Sequence, residues 1–222
     1  MNKILQIRYE ELYNNCIYSA IAHAISILKE PFFAYTQSWD GYHYSFHYGS
    51  TRGTISFYDN LKLAVGAARD EASTRRKLYP QYNAIALFHE ANTAIQEKAL
   101  QDPLEYLYDE ENGVTKPMAS IGFWLEDNCI FSSDAPEDFS NHGGEFVFIL
   151  AKERSELAAY WREEYALTAE ELTAVDDIFR CWKSNEKLVL KRFKHIIHKK
   201  DPGFDECIKS LKELGLEIIR GI

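Results

Sequence analysis

Two residues of this 222-residue chain, Cys16 and His142, have the side chains that a cysteine-dependent hydrolase requires for catalysis. A cysteine attacks a carbonyl as its thiolate once a histidine removes the proton, and the two residues can lie far apart in sequence. Cys16 lies within a predicted helix, and His142 precedes an apolar run at residues 145–150 that we interpret as a buried strand. A cysteine-dependent hydrolase is therefore one function that the sequence allows.

The order of these two residues resembles that of the papain-like cysteine proteases, in which a cysteine on the first helix meets a histidine that opens a late strand. The resemblance implies a thiolate nucleophile and a histidine base. In that family the cysteine lies at the helix N-terminus, where the helix dipole lowers the thiol pKa. Here the helix begins about two turns before Cys16, and two glycines separate His142 from the strand. The residue types therefore favour a buried core thiol and a loop histidine, with the hydrolase as the alternative function.

Pairs of histidines on the same face of a predicted element could bind a metal ion. His43 and His47 point the same way along one predicted strand, and His195 and His198 lie on one face of a late helix. Each pair supplies two imidazoles, whereas a catalytic zinc takes three protein ligands. The phosphate-loop, dinucleotide-binding and nucleophile-elbow motifs are absent from the sequence. We therefore expect no metal site and no cofactor, and we favour a function without catalysis.

Aromatic and acidic residues predict a binding surface instead. The chain has a formal net charge of −9, and 14% of its residues are aromatic. Tyr and Trp provide a large contact area at a low entropic cost, and opposite charge accelerates association. The residues that we predict to form this surface are Trp39, Asp40, Tyr42, Tyr44, Asp134, Glu137 and Asp138. The sequence thus predicts a non-enzymatic domain that covers a basic protein, as bacterial toxin-neutralising (immunity) proteins do.

One stretch reverses the charge of the chain. Residues 180–200, called here the basic segment, hold eight Lys or Arg side chains against the single acid Glu186. Because the segment carries +7, the remainder of the chain carries −16. Apolar residues interleave with the basic ones and predict an amphipathic helix over residues 188–198. Since the acidic body repels phosphates, nucleic acid is a disfavoured partner.

The elements that must position these residues are predicted from periodicity. A helix spans residues 9–29 and ends before Pro31, which disfavours helical geometry in the preceding residue. Strand-like runs follow at residues 32–37, 42–48 and 53–58, separated by turns rich in glycine. Alternation within the middle run places Tyr42, Tyr44, Phe46 and Tyr48 on one face. These runs predict an antiparallel meander with one aromatic face.

The rest of the chain continues with a predicted hairpin at residues 118–132 and then becomes helical. Helices are expected at residues 155–165, after a capping box formed by Thr168 and Glu171, and at residues 205–214 before Gly215. Strands in the first two thirds and helices in the last third predict an α+β fold. Its largely antiparallel sheet packs with helices, and its C-terminal third is helical.

Domain organisation and location are predicted from sequence features that the chain lacks. It has no repeat, low-complexity tract or flexible linker, so we expect one globular domain over residues 1–222. Its four cysteines lack CxxC spacing and predict reduced thiols in the cytoplasm. No signal peptide or membrane span is expected. The oligomeric state and the identity of the partner stay open.

Overall fold

A computed structural model describes residues 1–75, 83–111 and 113–219. The chain divides into two compact units, each assembled from two separated parts of the sequence. The first unit comprises Met1–Tyr13 and Tyr42–Ala151, and the second comprises Asn14–Gly41 and Lys152–Ile222. That the whole chain folds as one domain stays a prediction.

The described residues form strands mainly in the first two thirds of the chain and helices throughout. The strands are β1 (Asn2–Gln6), β2 (Gln37–Asp40), β3 (His43–Tyr48), β4 (Thr51–Tyr58), β5 (Leu63–Asp70), β6 (Tyr108–Glu111), β7 (Val114–Pro117), β8 (Ile121–Glu126), β9 (Cys129–Ser132), β10 (Leu188–Val189) and β11 (Ile218–Ile219). The α-helices are α1 (Tyr9–Ser26), α2 (Thr93–Gln101), α3 (Pro136–Phe139), α4 (Glu145–Leu150), α5 (Arg154–Glu164), α6 (Ala169–Lys183) and α7 (Phe204–Glu213). The α+β prediction, with a helical C-terminal part, is confirmed.

The first unit is built on an antiparallel sheet in which six strands lie side by side in the order β1-β9-β8-β5-β4-β3. Strand β5 lies inside this sheet, and all of its residues are buried. Gly66 in β5 leaves room for an aromatic ring, because a Cβ there would lie 2.1 Å from Phe123 Cζ. The predicted hairpin at residues 118–132 is confirmed as β8 and β9, whose turn places Asp127 and Asn128 at positive φ.

The predicted strand at residues 145–150 is wrong, because this run forms helix α4. Phe146, Val147 and Leu150 are buried on one side of the helix, while Phe148 is exposed. A short apolar run has no period that separates a buried strand from a buried helix turn. A turn precedes the helix, and in it Gly143 adopts a φ of +107° that side chains rarely take.

The second unit contains the continuation of α1 together with α5, α6 and α7. The capping box of α6 is confirmed: the Glu171 N–H donates to Thr168 Oγ1, and Glu171 Oε2 accepts the Thr168 N–H at 2.8 Å. The chain entering α7 passes close to the end of α1. There the Gly203 N–H donates to the Leu28 carbonyl at 3.1 Å, and a Cβ on Gly203 would collide with the Ile27 carbonyl.

Two predictions within the second unit are wrong. The predicted strand at residues 32–37 is a 3₁₀ helix, Pro31–Thr36, because proline opens a tight turn in which the Phe33 N–H donates to the Glu30 carbonyl. The predicted amphipathic helix at residues 188–198 is instead β10, a 3₁₀ turn at Leu190–Phe193 and further turns. Strand β10 pairs in parallel with β11, and this pairing removes the first residues of the run from any helix.

Candidate functional site

The residues predicted to bind a partner have different environments. Trp39 and Tyr44 are 5% and 1% exposed, so their rings belong to the interior. The Trp39 indole N–H donates to the Gly41 carbonyl at 2.8 Å. Asp134 accepts two hydrogen bonds of 2.7 Å from the Arg75 guanidinium. These three residues therefore have structural partners and offer little surface.

The other four predicted residues are exposed. Asp40 lies at the end of β2 in the second unit, whereas Tyr42, Glu137 and Asp138 belong to the first unit. The Tyr42 hydroxyl donates to Asp102 Oδ1 at 3.1 Å. Glu137 and Asp138 occupy the first turn of α3, where negative charge is favourable to the helix dipole. Three of the four predicted acids are thus accessible, whereas only one of the three predicted aromatic residues, Tyr42, is exposed.

The exposed aromatic surface lies instead in the 3₁₀ helix Pro31–Thr36, called here the aromatic segment. Phe32, Phe33 and Tyr35 are 76%, 45% and 67% exposed. Their rings contact one another edge to face, with centroids 5.6 Å apart for Phe32 and Phe33 and 6.0 Å apart for Phe32 and Tyr35. Three large rings thus form one contiguous apolar patch on the second unit.

The aromatic segment rests on an ordered layer of side chains from the same unit. Gln37, directly after the segment, donates a hydrogen bond to the Tyr165 hydroxyl. The Tyr165 ring stacks on Trp161 at a centroid distance of 5.0 Å, and the Trp161 indole N–H donates to Ser19 Oγ at 2.8 Å. Because these contacts reach the middle of α1, the residues beneath the segment are fixed by packing.

His23 of α1 lies in this layer, near the backbone of Phe33 and Ala34. Its ring is buried and packs against Tyr165 with centroids 5.7 Å apart. Burial lowers the pKa of His23 to about 4, because the charged imidazolium loses its hydration and the nearby backbone compensates only in part. The aromatic segment therefore covers a histidine that is neutral at physiological pH.

Sequence analysis missed the exposure of Phe32 and Phe33 because it placed them in a strand. The signal was present in their spacing. Adjacent residues of a strand point to opposite faces, so Phe32 and Phe33 could not both share one buried face. Pro31 directly before them favours the start of a turn. Adjacent aromatics after a proline therefore indicate a surface turn more strongly than a half-buried strand.

The alternative catalytic residues lie in different units, with Cys16 in the second and His142 in the first. Cys16 is fully buried in α1, and burial raises the pKa of its thiol well above the ordinary value. Because the thiolate is the nucleophile, this environment opposes the activation that a thiol hydrolase requires. His142 is partly exposed, and desolvation together with the Arg75 charge lowers its pKa.

His142 belongs to a polar cluster at the end of β5. Its Nδ1 lies 2.9 Å from Ser73 Oγ, and its carbonyl accepts the Ser120 hydroxyl at 2.6 Å. Ser73 Oγ also accepts the Arg75 N–H at 3.2 Å. A serine and a histidine at this distance match a nucleophile and its base, but Ser73 is only 3% exposed. Its hydroxyl joins two loops and is shielded from a substrate carbonyl.

The histidines considered as metal ligands do not gather further ligands. His43 is buried, with Nδ1 2.8 Å from Ser56 Oγ and Nε2 3.8 Å from Asp102 Oδ1. His47 is exposed on the same strand. Among residues 1–75, 83–111 and 113–219, no group of three His, Cys, Asp or Glu side chains has a metal-binding arrangement. Within the same residues, no helix has both the length and the apolar character needed to cross a membrane.

Comparison of the chain with protein-family models, with curated proteins and with solved structures finds no match.

Proposed function

We propose that this protein is a non-enzymatic binding domain, and that its aromatic segment anchors a basic partner protein. The observation that carries the proposal is the contiguous exposure of Phe32, Phe33 and Tyr35. Large aromatic side chains are enriched among the residues that contribute most to protein association, and their burial removes much apolar area from water. A patch of this kind on a soluble surface is typical of a site that a partner covers.

The charge of the chain supports a cationic partner. A net charge of −9 attracts basic proteins over distances comparable to the Debye length, about 10 Å at moderate salt. Asp40, Glu137 and Asp138 add exposed carboxylates to this field. A basic toxin is a partner of this kind, because an immunity protein neutralises it by covering it and carries out no reaction. We include a cytoplasmic location in the proposal, which the four free cysteines support.

The first test is capture with a matched pair of variants. Immobilised wild-type protein, a Phe32→Ala/Tyr35→Ala variant and a Leu61→Ala/Leu100→Ala control are exposed to a lysate of the source cells. The control removes two exposed apolar side chains from the first unit and leaves the aromatic segment intact. We expect a basic protein to be retained by the wild type and the control and lost from the aromatic variant.

The second test measures affinity and consequence with the purified partner. Removing two anchoring rings should weaken binding by 2 kcal/mol or more, roughly 30-fold in Kd, because such rings contribute most of the binding energy. The affinity should fall as salt rises. If the partner is a toxin, co-expression of the wild type should restore growth and co-expression of the aromatic variant should not. Equal retention of every captured protein by all three baits would contradict the proposal.

A further inference from the structure

A second surface of the second unit lies between α7 and the β10–β11 pair. It is a groove of about 500 Å³. Four apolar side chains line it, and all are partly exposed: Leu190, Phe204, Ile208 and Ile218. Cys207 and Leu211 occupy the buried face of α7, so Phe204 and Ile208 form a separate apolar row one turn apart. This helix is therefore apolar on a face that its own unit leaves partly uncovered.

The groove borders the basic segment. Leu190, which lines the groove, is followed directly by Lys191 and Arg192, and Lys194 follows the buried Phe193; all three basic residues are exposed. Within the part of the chain that the structure describes, neither Arg192 nor Lys194 forms an ion pair with a carboxylate. The two carboxylates of the groove rim belong to α7, and one of them, Glu213, lies 4.0 Å from Lys209.

The basic segment is fixed against its unit while its charges point to solvent. Leu188, Phe193 and Ile197 are buried and anchor the turns. The Ile196 and Ile197 amides both donate to the Phe193 carbonyl, at 2.9 and 2.8 Å. Because these anchors alternate with the exposed basic residues, the positive charges are presented on an ordered backbone. Ordered charges lose less entropy on binding than charges on a flexible tail do.

We propose that this groove binds an acidic amphipathic segment of a partner protein. Apolar side chains at helical spacing would pack on the four apolar lining residues, and carboxylates beside them would meet Arg192 and Lys194. The proposal follows from charge complementarity: the four charged lining residues, Asp205, Lys209, Lys212 and Glu213, cancel one another, and the exposed basic residues directly after Leu190 leave the border of the groove positive. The groove thus selects a negatively charged partner, whereas a positively charged partner is expected at the aromatic segment. The two surfaces therefore bind two different partners.

A designed peptide tests the groove directly. The probe is a fluorescein-labelled peptide of about 16 residues, with leucines at i, i+3, i+4 and i+7 and glutamates at the other positions. Its counterpart carries lysines in place of the glutamates. Net charge alone would favour the lysine peptide, whereas the groove favours the glutamate peptide. We expect saturable binding of the glutamate peptide in fluorescence anisotropy, weakened by salt.

Three variants locate the binding. Arg192→Glu/Lys194→Glu should weaken the glutamate peptide about tenfold, and Ile208→Glu should weaken it at least as much, because it places a carboxylate among the apolar side chains. The control Lys3→Glu/Arg162→Glu changes the net charge by the same amount at two exposed residues outside the groove. It should alter Kd by about twofold or less. Circular dichroism and thermal unfolding verify that each variant is folded.

The outcomes separate the two surfaces. Loss of glutamate-peptide binding in the groove variants, with retention in Phe32→Ala/Tyr35→Ala, supports the proposal. A glutamate peptide that does not bind at about 1 mM, or that binds the groove variants and the control equally, overturns it.

Discussion

The aromatic segment and strand β3 each hold three Phe or Tyr residues within six positions. In β3 these rings alternate along the strand, and Tyr44 and Phe46 are buried with centroids 6.0 Å apart. Within the first unit, the Phe46 ring also packs against the ring of Phe146, with centroids 4.0 Å apart. In the aromatic segment the first two rings are adjacent in sequence, and all three are exposed. The spacing of aromatic residues, more than their number, therefore separates a core strand from a surface patch.

The difference also separates stability from function. Rings that the fold encloses contribute to the free energy of unfolding, because their removal leaves a cavity. Rings that the fold leaves exposed cost little to remove and are available to a partner. Replacement of a ring by alanine should therefore lower the free energy of unfolding strongly in β3 and very little in the aromatic segment. Four predictions test this, in order of decreasing effect on stability.

Tyr44→Ala should lower the free energy of unfolding by about 3–5 kcal/mol, as large-to-small substitutions in cores do. Tyr44 is almost fully buried and stacks on Phe46. Urea unfolding followed by fluorescence measures the change, with Tyr44→Phe as a control that keeps the ring. A loss below about 1 kcal/mol would remove the distinction between the two regions.

Acidification should destabilise the layer under the aromatic segment through His23. Its pKa is about 4 in the folded chain and about 6.5 when unfolded, so the unfolded chain binds the proton first as pH falls. The stabilising effect of the neutral ring is complete above pH 6.5 and is lost progressively toward pH 4. The loss amounts to about 3 kcal/mol.

Urea unfolding between pH 7 and pH 4 measures this effect by comparing variants. His23→Leu should lack this part of the pH dependence, because the group that titrates is gone. His47→Leu, at an exposed histidine of β3, should retain it. A wild type and a His23→Leu variant with the same pH dependence would show that His23 does not control this layer.

Thr168→Ala should cost about 1 kcal/mol, the usual loss for an N-cap side chain. The capping partner Glu171 also pairs with Lys29 at 2.7 Å, so one carboxylate joins the cap of α6 to a residue that lies two positions before the aromatic segment. Thermal unfolding measures the loss, and Thr168→Ser should restore nearly all of it because serine is an equivalent cap. If serine is as destabilising as alanine, the hydroxyl is not responsible.

Phe32→Ala should change the free energy of unfolding by about 0.5 kcal/mol or less, the range of ordinary surface substitutions. Its ring is the most exposed of the three, and its edge-to-face contacts with Phe33 and Tyr35 lie on the surface of the aromatic segment. Urea unfolding beside Tyr44→Ala gives the comparison on one scale. A loss comparable with that of Tyr44→Ala would show that the aromatic segment is part of the core.

Elements with local sequence signals could be predicted before the fold was known. The apolar period of α1, the capping box of α6 and the two-residue turn between β8 and β9 each depend on residues within a few positions of one another. Gly215, with a φ of +84°, follows α7 for the same local reason. The α+β class followed from the order of these elements.

The exposure of individual side chains depends on tertiary packing and could not be predicted from the sequence pattern. Residues 188–189 form a strand because β11, about 30 residues later in the chain, supplies its partner. Trp39 and Tyr44 are buried although their residue types are equally common at binding surfaces, so the types alone could not show whether the rings were available to a partner. Burial depends on which distant residues pack together, and a local pattern does not contain that information.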